Sequence, residues 1–393
     1  MRIPYLGLLI IILLNCGVDW YIYKCLRRLR TAIPGLIQLW SAVILALGLL
    51  SFFVMPVQNT SDAHLRALMW VIFIYITIYV PKYIFVIFNA IAQIPRLWHK
   101  RPYSAVTWTG AVIAGILFLS LWWGALFNRF DIDVKEVDVE IAQLPRSFEG
   151  FKIAQISDLH VGTYGENTDF IEQLVERINS LCPDMVLFTG DIVNRHTDEL
   201  KPFVPVLSEI KAKYGVYSIL GNHDYGDYYR WKDSMERENN NLQLYELQKQ
   251  MGWKLLRNEH DYIAVGSDTL VIVGVENIGD PPFNLYGDLT KAYPTPTDSK
   301  HKILLSHNPA HWVKDIADSD NNIDLTLSGH THAMQMELFG WSPSSFRYKT
   351  WGGLYCDSKG RYLYVNIGTG TVGFPARIGA TPEITLITLN SKK

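Results

Sequence analysis

Side chains that can bind metal ions occur in five short blocks of the carboxyl-terminal two thirds of the sequence. Each block directly follows an apolar run of the kind that forms a buried strand. Carboxylate, amide and imidazole groups together suit a pair of Zn, Mn or Fe ions better than Mg or Ca. The blocks are Ser157-Asp158-Leu159-His160, Gly190-Asp191, Gly221-Asn222-His223-Asp224, Ser306-His307 and Ser328-Gly329-His330-Thr331-His332.

Each of these residues also has a simpler interpretation when it is taken alone. An aspartate such as Asp158 or Asp191 can cap a helix, Asn222 can occupy a turn, and a lone histidine is more often structural than catalytic. Together, however, the blocks supply seven metal ligands and one further imidazole. We therefore interpret the whole set as a metal site rather than as unrelated structural residues.

The elements that must position these blocks follow an alternating α/β pattern. In an open α/β sheet, ligands bind beyond the carboxyl ends of the strands, which is where the blocks lie. Helices are predicted at Asp169–Asn179, Phe203–Lys213 and Ala310–Ala317, and the polar stretch Arg230–Gln250 is predicted to be a surface excursion. An entry strand is predicted over 131–141, and further strands over 152–157, 185–188, 216–220, 269–274, 302–306, 323–327, 362–367 and 383–389.

The order and content of the blocks resemble the five signature blocks of the calcineurin-like metallophosphoesterases. The matching letters are D-L-H, G-D, G-N-H-D, H-N-P and G-H-T-H, between Asp158 and His332. The tail, with N-I-G-T-G at 366–370 and R-I-G at 377–379, is similar to the membrane-anchored bacterial branch of that superfamily. The resemblance extends from about Phe148 to Leu389 and implies a four-layer α-β-β-α sandwich for residues 128–393.

The resemblance also implies roles for the metal-binding residues. Two divalent ions, Mn, Zn or Fe, would share Asp191, and a hydroxide bridging them would attack the phosphorus atom. The first ion would be held by Asp158, His160, Asp191 and His332. The second would be held by Asp191, Asn222, His307 and His330.

Other polar residues are candidates for catalysis and substrate binding. His223 is left without a metal, so it is a candidate acid for the leaving group, or it stabilises charge on the phosphoryl group. Asp224 either orients His223 or serves as a turn or cap carboxylate. Arg195, His196 and Arg377 are candidate contacts of the substrate phosphate, with ordinary surface ion pairing as the alternative for Arg195.

One departure from the family pattern follows the last block. Relatives in this branch often continue G-H-T-H with two glycines and a glutamine, whereas this chain has Ala333-Met334-Gln335. The change lies outside the ligand set. We therefore expect it to alter the wall of the pocket and not the binding of metal.

The first third of the sequence has the composition of a membrane anchor. Four apolar stretches occur before residue 128, and each is long enough to cross a bilayer, which requires ~20 helical residues. We predict a bundle of four transmembrane helices over residues 1–127. The stretches are Pro4–Tyr23, Ile33–Val54, Leu65–Ile94 and Ser104–Leu126.

Charge in the loops predicts the orientation of these spans, because Lys and Arg are retained on the cytoplasmic side. The loop over residues 58–64 contains no Lys or Arg. We therefore predict an integral protein of a bacterial inner membrane, whose carboxyl-terminal domain lies on the extracytoplasmic side. The first and third loops contain Lys24, Arg27, Arg28, Arg30, Arg96, Lys100 and Arg101.

Two ionisable residues lie within the predicted spans. Asp19 and Lys82 are predicted to pair or to extend toward the cytoplasmic interface, with Pro81 only bending the helix. The alternative is that Pro81 breaks the third apolar stretch, which would make the number of spans odd and move the soluble domain to the other side.

Charge also excludes a class of partner. Up to Phe127 there are ten Lys and Arg against two Asp, a net charge of +8, so the remainder of this chain of net charge −2 carries −10. Binding of nucleic acid requires a basic field, so none is expected.

The favoured function is a membrane-tethered phosphoesterase that hydrolyses phosphomonoesters or phosphodiesters, with a lipid-linked substrate as one interpretation. The alternatives are a UDP-2,3-diacylglucosamine-type pyrophosphohydrolase, a non-catalytic scaffold, and a transporter or sensor that uses Asp19 and Lys82.

Overall fold

The computed structural model describes residues 5–27, 33–54, 60–279, 281, 284–294 and 300–392. The described chain falls into two compact units, which divide between Ala125 and Leu126, apart from Phe374–Ala376, which are grouped with the first unit. The first unit is built of helices, and the second contains two β-sheets with helices.

The first unit contains four long helices: α1 (Tyr5–Leu26), α2 (Ile33–Val54), α3 (Asp62–Gln93) and α4 (Ser104–Leu126). Among the described residues, the stretches Leu9–Leu26, Asp62–Trp98 and Ser104–Phe130 are long and apolar enough to cross a bilayer. In α2 the apolar helical portion that the structure describes in full is Ile33–Gly48, which is shorter. The helical nature of all four predicted spans is thus confirmed, whereas a crossing by α2 stays a prediction. Arg28, Arg30 and part of the loop over 58–64 lie outside the described residues.

The helix α3 runs through Pro81 without a break. Its Lys82 lies 2.8 Å from the Asp19 carboxylate of α1, and the Tyr79 hydroxyl and the Gln38 amide also donate to that carboxylate, at 2.7 and 2.6 Å. A charged group inside a bilayer is stable only with such partners. The predicted pairing of Asp19 with Lys82 is therefore confirmed, and Pro81 does not divide the helix.

The second unit contains two six-stranded sheets of mixed direction. The first has the strand order β1-β12-β2-β3-β4-β5, and the second has the order β10-β11-β9-β8-β7-β6. Within them β2, β3, β4 and β5 are parallel to one another, as are β7, β8, β9 and β11. The strands are β1 (Asp133–Ala142), β2 (Phe151–Ile156), β3 (Met185–Phe188), β4 (Val216–Ser218), β5 (Trp253–Leu255), β6 (Glu259–Val265), β7 (Asp268–Gly274), β8 (Lys302–Leu305), β9 (Leu325–Ser328), β10 (Gly353–Cys356), β11 (Tyr362–Val365) and β12 (Glu383–Lys392).

The two sheets pack face to face and are covered on their outer faces by helices. In β3, Leu187 packs into the core between the sheets together with Ile272 and Leu305, while Val186 and Phe188 pack into the outer core. Both faces of such strands are buried, so their sequences are apolar throughout instead of alternating. The predicted four-layer α-β-β-α sandwich is confirmed.

The outer layers contain helices of very different length. The helix α5 (Asp169–Ser180) covers the first sheet with Phe170 and Leu174, and Trp312 belongs to the core on the outer face of the second sheet. The predicted surface excursion at 230–250 was wrong in part, because Ser234–Gln250 forms a helix, α7, whose Asp233 cap accepts a hydrogen bond from the Glu236 N–H. The remaining helices are short: α6 (Val204–Leu207) and α8 (Leu289–Ala292).

Candidate metal centre

The five sequence blocks meet at the carboxyl ends of strands from both sheets. Asp158, Asp191 and Asn222 follow β2, β3 and β4 of the first sheet, and the histidine blocks follow β8 and β9 of the second. The ends of β2 and β9 approach closely at Gly329, where a Cβ atom would collide with the side chains of Ser157 and Asp158. Parallel strands that end at one edge therefore bring together residues up to 174 positions apart in the sequence, Asp158 and His332 being the extremes.

One group of donor atoms is formed by Asp158, His160 and His332, all of them buried. The His332 Nε2 atom lies 3.2 Å from Asp158 Oδ1 and 3.0 Å from His160 Nε2. Nitrogen and carboxylate ligands at these separations can surround a single divalent ion.

A second group is formed by Asp191, His307 and His330, with Asn222 beside them. The His307 Nε2 atom lies 3.2 Å from Asp191 Oδ2, 3.2 Å from Asn222 Oδ1 and 3.3 Å from His330 Nδ1. The same Asp191 oxygen is 3.6 Å from His160 Nε2 of the first group. Asp191 therefore contacts histidines of both groups, as a carboxylate shared between two ions must.

The hydrogen bonds behind the histidines indicate that a cation fits between them. The Nδ1 atoms of His160 and His307 lie 3.2 and 2.7 Å from the carbonyl oxygens of Val193 and Thr189. A carbonyl only accepts, so each Nδ1 carries a proton, and each Nε2 is the ring atom left to bind a metal ion or a second proton within the site. Within the site, His307 Nε2 faces two oxygen acceptors, Asp191 Oδ2 and Asn222 Oδ1. Such a convergence of lone pairs is stable when a metal ion or a proton lies between them.

The pKa values of these groups have the same electrostatic origin. Burial by itself raises the pKa of Asp191, but the surrounding histidines, led by His307, outweigh it and hold that pKa well below its ordinary value. Burial lowers the pKa of His307, but the Asp191 carboxylate reverses this effect and raises it to about 9. Burial and the neighbouring His307 lower the pKa of His330 to about 3. Asp191 thus attracts positive charge strongly, whether it is a proton or a metal ion.

His223 lies at the edge of the site and is more exposed than most of the candidate ligands. Its Nδ1 atom is 2.7 Å from the carbonyl oxygen of Asn194, and its backbone N–H donates to Asp191 Oδ1 at 2.8 Å. The ring stacks on Tyr228, with centroids 4.2 Å apart. His223 also lies within metal-binding distance of His160 and Asp191. Its assignment as an acid and not a ligand therefore stays a prediction.

Asp224 is buried behind the site. Its carboxylate accepts hydrogen bonds from the backbone N–H groups of Gly221, Asp191, Ile192 and Val193, at 2.8 to 3.2 Å. Burial and the charge of Asp191 raise the pKa of Asp224 to about 7, while these hydrogen bonds oppose the shift. The contacts favour the second sequence interpretation, a carboxylate that fixes turns, because the described partner of His223 Nδ1 is Asn194 and not Asp224.

The two arginines predicted to bind substrate are both buried. The Arg377 guanidinium donates to the carbonyl oxygens of Gly370, Ala380 and Ile367 at 2.9 to 3.0 Å and lies 3.3 Å from His332 Nδ1. This placement does not support the predicted contact of Arg377 with a phosphate, because its donors are directed at the backbone and at a candidate ligand.

Arg195 has a different environment. It is only 5% exposed, and its Nε atom lies 3.8 Å from the Glu199 carboxylate. His196 Nε2 lies 3.9 Å from the same carboxylate. For Arg195 the ion-pairing alternative thus describes the contacts, although the pair is buried and not on the surface as expected.

The turn that carries His332 has an unusual backbone. Four consecutive residues, His332 to Gln335, have positive φ angles between 46° and 57°. A residue other than glycine costs roughly 1–2 kcal/mol in this conformation. The glycines that relatives have after G-H-T-H would relieve it, whereas this chain places Ala333 and Met334 there. The departure seen in the sequence therefore falls on a strained turn.

Two tyrosines belong to the site but carry no signal in the sequence. Tyr348 lies with its hydroxyl 2.9 Å from His330 Nε2, and the Tyr228 hydroxyl accepts a hydrogen bond from Asn222 at 3.0 Å. Both orient candidate metal ligands. They stand outside the signature blocks, so only the fold reveals them.

Comparison with family models places the chain among known proteins. Residues 151–334 match the model described as calcineurin-like phosphoesterase. Residues 1–129 match the model described as probable calcineurin-like phosphoesterase, transmembrane domain. Each match falls largely in one compact unit, and all seven candidate ligand positions lie within residues 151–334.

Three curated relatives illustrate the similarity. A zebrafish transmembrane protein with metallophosphoesterase domain is 32% identical over 65% of this chain and 57% of its own length. An uncharacterized metallophosphoesterase of Bacillus subtilis, YkuE, is 29% identical over 72% of this chain and 94% of its own. An uncharacterized metallophosphoesterase of Helicobacter pylori is 27% identical over 100% of this chain and 99% of its own. The chain thus spans little more than half of the zebrafish relative but almost all of the Helicobacter one.

Proposed function

The chain belongs to the calcineurin-like phosphoesterases and carries their transmembrane domain, and we propose that it hydrolyses phosphomonoesters or phosphodiesters at a two-metal centre. The observation that carries the proposal is the position of Asp191, whose Oδ2 atom lies 3.2 Å from His307 and 3.6 Å from His160, in two separate groups of donors. A shared carboxylate is what a pair of ions requires.

The proposed ligand sets are those that the family resemblance implies. Two divalent ions, when bound, would lower the pKa of a shared water molecule and neutralise charge on the phosphate. The contribution of the chain is to hold its ligands rigidly, through the hydrogen bonds from His160 and His307 to backbone carbonyls. One set is Asp158, His160, Asp191 and His332, and the other is Asp191, Asn222, His307 and His330.

We assign the handling of protons at the leaving group to His223. Its Nδ1 atom is held by the Asn194 carbonyl, which leaves Nε2 as the atom that carries the transferable proton. Stacking on Tyr228 restricts the rotation of the ring. When the bond from phosphorus to the leaving oxygen breaks, the proton on Nε2 passes to that oxygen, which leaves as a neutral alcohol.

We further propose that the active domain faces the extracytoplasmic side of a bacterial inner membrane. The basic residues of the first and third loops support this orientation. The unbroken helix α3 supports an even number of spans, since Pro81 does not divide it. The alternative of a nucleotide-sugar pyrophosphohydrolase needs a cytoplasmic domain, so the same observations disfavour it.

Turnover by the purified full-length chain tests the proposal. The protein in detergent is assayed with p-nitrophenyl phosphate, bis-p-nitrophenyl phosphate and lipid phosphates, each with Mn, Zn or Fe added. Phosphate or p-nitrophenol release that requires a metal, and that disappears in the His307→Gln variant, is the expected result. Two bound metals without turnover of any ester would instead identify a non-catalytic scaffold.

A further inference from the structure

An unusual concentration of exposed apolar side chains lies beside the metal centre. From Asn128 onward, twelve large apolar side chains are exposed among the described residues, and five of these lie between residues 334 and 346. We call these five the 334–346 apolar surface. Trp341 and Phe346 are in edge-to-face contact, with ring centroids 5.8 Å apart, and clusters of exposed apolar groups often mark an interaction site. Its members are Met334 (57% exposed), Leu338 (49%), Phe339 (107%), Trp341 (46%) and Phe346 (85%).

The polarity of this segment is inverted. Ser342 and Ser344 are 0% and 1% exposed, while their apolar neighbours point outward. The Ser342 hydroxyl donates to the Ala333 carbonyl at 2.5 Å, and the Ser344 hydroxyl donates to the Thr331 carbonyl at 3.3 Å. The serines therefore fix the segment to the metal-binding turn, and the exposure of the large side chains is a built feature.

A tight turn presents the most exposed side chain. Leu338 and Trp341 exchange two backbone hydrogen bonds, of 2.9 and 3.1 Å, around Phe339 and Gly340. Both central residues have positive φ angles, 53° and 76°, as in a type I′ turn. A bulky residue with positive φ is an outlier, and such strain occurs mainly where function requires it. Here the strained conformation holds the Phe339 side chain fully exposed.

The segment is framed by residues of the metal centre. It begins two residues after His332, and it ends two residues before Tyr348, whose hydroxyl lies 2.9 Å from His330 Nε2. Its base is also fixed by the Glu337 N–H, which donates to the Ile378 carbonyl at 2.8 Å, next to Arg377. The 334–346 apolar surface is therefore fixed to the backbone turn that carries the candidate ligands His330 and His332.

We propose that the 334–346 apolar surface enters the interface of the lipid bilayer and thereby gives the metal centre access to phosphoesters of membrane lipids. The assignment of lipid phosphoesters as the substrate class rests on the proposed phosphoesterase function, whereas the membrane contact does not.

Three features of the chain select the bilayer as the occupant. The same chain carries helices that are apolar and long enough to cross a membrane, so the domain is tethered where lipid is present. Trp, Phe, Leu and Met are residue types that enter the interfacial region. The exposed basic residues Arg347 and Lys349 follow directly, and basic groups beside an apolar surface attract anionic headgroups.

Fluorescence quenching in nanodiscs tests the membrane contact directly. The full-length chain with its four cysteines replaced by serine receives Phe339→Cys, or Met235→Cys as a control that is 69% exposed on α7. Each cysteine is labelled with bimane, and quenching is measured with nitroxide lipids and with aqueous iodide. The label at 339 is expected to be quenched by the nitroxide lipids and shielded from iodide. The label at 235 is expected to be quenched by iodide and not by the nitroxide lipids. Quenching of the 339 label by iodide alone, or shielding from both quenchers by a protein partner or a second copy, would overturn the proposal.

A pair of activity measurements tests the substrate class. For the double variant Phe339→Ser, Phe346→Ser, the rate on phosphatidic acid and phosphatidylglycerol in nanodiscs is expected to fall about tenfold or more. The reason is that each aromatic side chain that enters the lipid strengthens the contact with the membrane. The variant's rate on dissolved bis-p-nitrophenyl phosphate should not change. The control Met235→Ser with Leu242→Ser should affect neither rate, and the thermal midpoint of every variant is checked.

The outcomes separate the two proposals. Wild-type protein that hydrolyses bis-p-nitrophenyl phosphate but no lipid, or a variant that loses both rates equally, would overturn lipid phosphoesters as the substrate class and leave the phosphoesterase function standing. Wild-type protein that hydrolyses no ester would overturn the phosphoesterase function, and the quenching result alone would then decide the membrane contact.

Discussion

The guanidinium of Arg377 lies 3.3 Å from Nδ1 of His332, while Nε2 of the same ring lies 3.2 Å from Asp158. Arg377 is fully buried, and burial lowers its pKa to about 10, although Tyr164 and the Asp158 carboxylate oppose the shift. We therefore propose that Arg377 is a positioning residue, which fixes the chain around a candidate ligand.

Replacing this arginine tests that role. Arg377→Lys is expected to lower metal affinity by about 10-fold to 100-fold, because lysine cannot make the three guanidinium hydrogen bonds to backbone carbonyls that fix the chain around His332. Metal content by mass spectrometry and kcat and KM on bis-p-nitrophenyl phosphate are measured, with the exposed Arg177→Lys as control. An increase in KM with unchanged metal content would restore the original prediction that Arg377 binds the phosphate.

Asp191→Asn is expected to abolish turnover and loosen both metals. An amide replaces the carboxylate that contacts histidines of both donor groups, so the negative charge that the two proposed cations would share is lost. Metal stoichiometry and turnover are compared with Asp320→Asn, which changes an exposed carboxylate. Two tightly bound metals together with near-normal turnover would be incompatible with the dinuclear assignment.

His223→Asn is expected to keep both metals and lower turnover by about 10² to 10⁴, the contribution of a positioned proton donor. The loss should be larger for an alkyl phosphodiester than for bis-p-nitrophenyl phosphate, because p-nitrophenolate leaves without needing a proton. Rates on both esters and the metal content are measured, with His260→Asn as control. Loss of metal would show that His223 is a ligand, which its distance from His160 and Asp191 allows.

Reporter fusions test the orientation in the membrane. Alkaline phosphatase fused after Lys393 is expected to be active, and a fluorescent protein that matures only in the cytoplasm should stay dark at that position. A fusion after Arg101, in the basic third loop, should give the opposite pair of results and serves as an internal control. Reversed results at both positions would place the domain in the cytoplasm and favour the nucleotide-sugar pyrophosphohydrolase.

The sequence alone was sufficient to predict nine of the twelve described strands, including each strand that a metal-binding block follows, but not β5, β6 or β10. Runs such as Met185–Phe188 are apolar throughout because both faces of these strands are buried, so a short run already identifies a central strand. Because parallel strands present their carboxyl ends at one edge, the residues after those runs were expected to meet. The pairing of Asp19 with Lys82 was also predictable, since an isolated charge is unstable in a bilayer.

Only the tertiary structure decided what the remaining polar residues do. Asp224 and Arg377 look like catalytic and substrate-binding groups in the sequence, but residue type does not reveal burial or the direction of hydrogen bonds. Arg377 meets His332 across 45 positions, and Asp224 meets the backbone that follows β3 across about 32, so both contacts exist only after the sheets assemble. The exposed phenylalanines at 339 and 346 likewise resemble core residues in the sequence. They become a surface because the buried serines beside them hold the turn with its apolar side chains outward.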